Sequence, residues 1–135
     1  MLNTRAFKDG DKFIITVGSI NTEASKQGLE FKARKFDIQY GEFSPYLQEM
    51  NEYLREAKKY CANETQEKMI QHYIDHYISG DVETHKNSQR EWVKDKGPVV
   101  ETNMGWIETY IDPENIRGYF EGMVSIVDKD QSKKF

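Results

Sequence analysis

The stretch HYIDH carries two imidazoles, His72 and His76, at the i, i+4 spacing that places both rings on one face of a helix, where they could grip a metal ion. A zinc-peptidase helix of this kind needs glutamate after the first histidine as general base. Here that position is Tyr73, which the apolar periodicity assigns to the core, and only Asp75 and His85 lie nearby as further ligands. Both histidines are therefore expected beside the Tyr73, Ile74, Tyr77, Ile78 stripe, at the polar boundary of their helix. Glu83 and His85 form an acid–base pair on paper, but two residues apart on a helix they face different ways. Glu83 then serves the helix N-terminus through the macrodipole, and His85 is expected as a hydrogen-bonded core residue. Arg117 and the two acids of IDPENIRG read as surface ion pairing. Cys61 has no base beside it in sequence and falls on an apolar stripe, the setting of a buried structural thiol. One carboxylate remains: Glu101, set inside the apolar run GPVVETNMGW. Its local pattern leaves open whether it only fits a strand or meets a substrate.

The elements that position these residues can be read from periodicity. Residues 1–12 look like a frayed leader or boundary segment. Over 13–41 the pattern is β-rich: FIITV (Phe13–Val17) reads as a strand, SINTEASKQG as a polar loop, and LEFKARKFDIQYG alternates twice. Its change of phase near Arg34 predicts a hairpin or a bulge. From 44 to 96 the period becomes helical. Ser44 and Pro45 read as N-cap and first helical residue of a helix with Leu47, Met50, Leu54, Ala57 and Cys61 inward. A second helix spans about Glu64 to Ile78 and stops at Gly80; a third is capped by Asp81 and carries Val82, His85, Gln89, Trp92 and Val93 on one side. Gly97-Pro98 is the expected stop. Residues 99–128 are extended, Val99–Tyr110 and Tyr119–Val127, and these can pair antiparallel across the intervening loop. The closing DKDQSKKF looks like a helix cut short.

The bulk numbers fit a single folded domain or a piece of a larger one. Only 37% of residues are apolar and 31% are charged, yet 13% are aromatic, too many for a typical disordered segment. The net charge of −4, with lysines interleaved among acids, provides no footprint for nucleic acid or an anionic membrane. No apolar run approaches the roughly 20 residues that span a bilayer. The first residues lack the apolar core of a secretory signal, and a single cysteine suits a cytoplasmic setting.

From Tyr40 onward, YGEFSP, AKKYCANETQ, GDVETHKNSQREWVKDKGPVVE, GWIETYIDP and RGYFEG occur in an order and spacing that resemble the dipeptidyl peptidase III family. Those enzymes are zinc-dependent exopeptidases that release dipeptides from peptide N-termini. The resemblance implies an α+β fold: short N-terminal strands, a three-helix segment, then a β-rich segment belonging to the β-barrel-core lobe of a longer parent. It implies that the strand matching VVETN lines the substrate cleft and pairs with extended peptide. By that resemblance Glu101 would hold the substrate's free α-ammonium, with Val100, Thr102 and Asn103 beside it. Animal members carry Tyr where Asn103 stands, which implies altered contacts there. The family's zinc motif HExxGH and its EExR(A/S)E motif lie downstream of the matching region and do not occur in this sequence. The resemblance therefore implies an internal piece of a cytoplasmic enzyme whose partners are oligopeptide and the rest of the parent chain. Zinc belongs to the parent; this chain is expected to hold no metal and no catalytic residue, and to be inactive alone. The alternative is a stand-alone peptide-binding module without catalysis.

Overall fold

A computed structural model describes residues Met1–Phe135. Four strands, β1 (Thr4–Asp9), β2 (Lys12–Gly18), β3 (Lys26–Phe31) and β4 (Arg34–Glu42), form one sheet in the order β1-β2-β4-β3. β2 and β4 run parallel; both outer pairs are antiparallel. The expected leader is thus a strand, with Thr4 paired to Val17 and Asp9 to Lys12. It is exposed over almost its whole length and carries no apolar alternation, because an edge strand is held by its main-chain ladder rather than by a buried face. Asn3, just before it, is buried and donates through Nδ2 to the carbonyls of Gly18 and Gly80, anchoring the N-terminus to the helical part.

The phase change near Arg34 is a two-residue hairpin, with Phe31 opposite Arg34. Lys32 and Ala33 both have positive φ, 48° and 59°, as a turn of the I′ kind requires. L-residues with a Cβ pay steric strain there, and Asn-Gly is the pair that avoids it. Replacing both, Lys32→Asn with Ala33→Gly, is expected to raise stability by about 1 kcal/mol, read as a higher denaturation midpoint. An unchanged or lower midpoint would contradict this account of the turn.

Three helices follow: α1 (Ser44–Lys58), α2 (Glu64–Ser79) and α3 (Val82–Trp92). Ser44 is not the cap of α1. Phe43 occupies that position in a left-handed conformation (φ 62°), no side chain caps the helix, and the Ser44 hydroxyl instead donates to Ile20 O. The caps of α2 and α3 do follow their residue types. Asn63 Oδ1 accepts from Gln66 N at 2.9 Å, Asp81 Oδ1 from Glu83 N at 3.1 Å, and Gly80 closes α2 with φ 73°. α3 stops at Trp92, short of Gly97-Pro98, and Val93 is exposed. The chain is drawn off the helix there because the Asp95 carboxylate accepts from Asn63 Nδ2 and Gln66 Nε2, at the start of α2. Gly97 (φ 64°) then turns it into β5 (Val100–Glu108).

β5 pairs antiparallel with β6 (Tyr119–Ile126), joining the two extended segments across the IDPENIRG loop, and a short helix α4 (Lys129–Ser132) ends the chain. α2 lies at the centre of the core: Met69, Ile70, Tyr73, Ile74 and Tyr77 pack with Leu47 and Leu54 of α1 and with Trp106 of β5. Tyr73 and Tyr77 have no exposed surface, and the edge-on contacts of Trp106 with Tyr77 and Phe120 lock β5 and β6 onto the helices.

Candidate functional site

The face of α3 that carries His85, Gln89 and Trp92 lies along β5 in a regular register. The His85 ring sits against Gly105, Gln89 Nε2 donates to Asn103 Oδ1 at 3.2 Å, and Trp92 Nε1–H donates to Glu101 Oε1. Seven residues of helix cover about 10 Å and four of strand about 13 Å, so steps of four and three on one match two steps of two on the other. Period-two alternation then separates the four candidate residues. Glu101 and Asn103 come together on the α3 side. Val100 and Thr102 face the opposite way, onto an apolar pocket of about 570 Å³ shared with α1 and α2. Val100 is exposed, whereas Thr102 is buried and its Oγ1 has no hydrogen-bond partner.

Glu101 is half-buried beside an open cleft of about 720 Å³, bounded by Trp92, Pro98, Lys129 of α4 and Lys133 just beyond it. None of the chain's ion pairs includes it. Asn103 Oδ1 also accepts from the Tyr73 hydroxyl at 3.4 Å, and that hydroxyl accepts from Gln89 Nε2 at 3.2 Å. Burial raises the Tyr73 phenol above its ordinary range, so it stays protonated and able to donate. β5 has β6 on one edge and no strand on the other. In an antiparallel pair alternate residues turn their N–H and C=O groups away from the partner.

The histidines are placed differently from one another. His76 was expected at the polar boundary but is only 2% exposed, its Nδ1 bonded to Asp81 O at 2.8 Å and its ring 5.1 Å from that of His85. The reason is that α2 is covered from two sides, by α1 and α3, so its buried arc is wider than its apolar stripe. His85 is buried as expected, yet its Nδ1 lacks a hydrogen bond, and burial pushes its pKa down to about 4. His72 is half-buried. The residues of this chain do not fit a zinc ion, since no group of three or more His, Cys, Asp or Glu side chains is placed to hold one. Cys61 is half-buried, and burial raises its thiol, which disfavours the reactive thiolate.

Gln89, Trp92 and Tyr73 were legible as inward residues of their helices; that they orient Glu101 and Asn103 was not. Spacing shows which side chains share a face, but not which strand that face meets.

The architecture defines an α+β segment of the kind found in solved dipeptidyl peptidase III structures. The structure of dipeptidyl-peptidase III from Corallococcus sp. strain EGB superimposes with a TM-score of 0.65 at 21% identity, covering 99% of this chain and 21% of that one. The likeness extends to sequence: the chain is 45% identical to Dipeptidyl peptidase 3 of Rattus norvegicus over 81% of its length, and 41% identical to that of Dictyostelium discoideum over 98%. It spans 15% and 19% of those two relatives. The model of peptidase family M49 matches residues 1–135, β1 included, and the chain belongs to that family.

Proposed function

We propose that this chain forms part of the substrate-cleft wall of a cytoplasmic, zinc-dependent dipeptidyl peptidase III, and that Glu101 receives the free α-ammonium of an oligopeptide. The observation that carries this reading is the state of Glu101: a half-buried carboxylate on a single-edged strand, fixed at one oxygen by Trp92 and paired with no cation. A peptidase that removes two residues at a time must measure from the N-terminus. A fixed carboxylate does this by charge-assisted hydrogen bonding to the ammonium, a stronger bond than neutral groups make. The unpaired edge of β5 supplies main-chain bonds that hold a peptide extended without reading its side chains, which suits a broad range of oligopeptides. On the same strand Asn103 is held at Oδ1 by Gln89 and Tyr73, which leaves its Nδ2 to donate to a peptide carbonyl. Thr102 and Val100 contribute backbone only.

The hydrolytic chemistry and the zinc that polarises its water belong to the remainder of the parent chain. The 135 residues alone are expected to hydrolyse no dipeptidyl-arylamide. In the full-length peptidase Glu101→Gln is expected to raise KM for dipeptidyl-arylamides about 30-fold, as one partner of a desolvated charge pair is lost at a cost of about 2 kcal/mol. An unchanged KM would overturn the assignment.

A further inference from the structure

We infer that one face of the four-stranded sheet is a docking surface for the rest of the parent chain: an apolar element from outside residues 1–135 packs across Phe13, Ile15, Leu29, Phe31, Phe36 and Ile38. The inference rests on the part of the proposal above that gives this chain a longer parent, and is independent of the role of Glu101.

The strand register sorts the side chains. Phe13 lies opposite Phe36, Ile15 opposite Ile38, and Leu29 opposite Phe36 from the other side. Paired residues share a face and alternate residues return to it, so β2, β4 and β3 place these five, with Phe31, on one side of the sheet. The other side is ionic and satisfies itself. Lys12 Nζ donates to Asp37 Oδ2 at 2.7 Å, Thr16 Oγ1 donates to Glu42 Oε2 at 2.6 Å, and Arg5 pairs with the same carboxylate. A sheet patterned in this way buries its apolar face against a second layer. This chain does not supply the layer. None of the six belongs to the hydrophobic core cluster or to the side chains packed against it, and Phe31 stays 64% exposed and Phe13 36%. A contiguous open patch of this kind marks an interaction surface. Two observations choose the occupant. The six side chains carry no charge, which suits an apolar element and offers nothing to a polyanion or a charged peptide. The superimposed dipeptidyl peptidase III structure matches 99% of this chain with 21% of its own, so the sheet recurs inside a much longer chain, most of which lies outside the matched segment. The candidate cleft leaves the face unused, since β5 belongs to a separate sheet.

The test is hydroxyl-radical footprinting of the native full-length peptidase, with the modified side chains located by mass spectrometry. It needs no substitution, so no variant can fail to fold. Phe7 is the internal reference: it is the same residue type, it lies on the ionic face beneath the Arg5 guanidinium, and it is 45% exposed. With the parent chain docked, Phe31 and Phe13 are expected to be modified about tenfold more slowly than Phe7, because radicals reach them only through local opening. Phe31 modified as fast as Phe7, or faster, would overturn the inference, since that is the order the exposures of this chain alone require. The measurement is repeated after dilution of the peptidase. Unchanged protection is expected; protection that disappears would mean that a second copy covers the face, and would overturn the choice of occupant. The readout involves no peptide turnover, so the two proposals fail separately. An unchanged KM in Glu101→Gln removes the ammonium reading and leaves the docking surface standing, whereas an open Phe31 removes the docking surface alone.

Discussion

Replacing Gly105 with alanine should destabilise the chain by about 4 kcal/mol, enough to leave a marginally stable domain largely unfolded. Gly105 has φ 145°, a region essentially reserved for glycine. An added Cβ would lie 2.7 Å from His85 Cε1 and 3.1 Å from Nδ1. The ring cannot retreat, because its centroid is already 5.1 Å from that of His76 and 6.2 Å from that of Tyr73. Backbone strain and overpacking each contribute roughly 1–3 kcal/mol. Gly122 is the control: it lies in the partner strand β6, and a Cβ there meets nothing within 4 Å. Gly122→Ala is expected to change the urea midpoint little. Equal effects at the two positions would mean that α3 does not seat on β5 as described.

The second large effect is on pH. His85 and His76 are buried and neutral, with His85 depressed to about 4 and His76 also lowered, in both cases chiefly by burial. An unfolded chain titrates its histidines near 6.5. As pH falls below that value the unfolded state takes up protons that the folded state refuses, so stability drops from about pH 6.5 down to about pH 4. His85 alone accounts for about 3 kcal/mol across this window. The carboxylates act lower down. Asp37, Glu83 and Asp112 are held below their ordinary range by Lys12, Arg90 and the Arg117 main chain respectively, and their stabilisation fades only as pH falls beneath about 4. Urea denaturation at pH 7 and pH 5 should therefore show the native chain clearly weaker at pH 5. His85→Gln, which is neutral at both, should show a much smaller difference. A flat native profile would mean that the imidazoles are solvated.

These two effects arise where α3 meets β5, and that contact marks the limit of what could be read from sequence. Helix α2 was legible to within a residue, because Met69, Ile70, Tyr73, Ile74 and Tyr77 recur at helical spacing up to a Gly stop. The β3–β4 hairpin was legible from its change of phase. β1 was not, since a solvated edge strand leaves no apolar trace. The depth of His76 escaped for a different reason: periodicity reports one buried stripe, while two helices pack on α2.

The family, the order of its elements and the singling out of Glu101 were determined by the sequence, because residue types and spacing are local properties of the chain. Which face of β5 each candidate occupies, the burial of Thr102, and the partners that orient Glu101 and Asn103 were decided by tertiary structure alone. They depend on the register between α3 and β5, residues 82–92 against 100–108, and that register is set by the packing of His85 against a glycine twenty positions away.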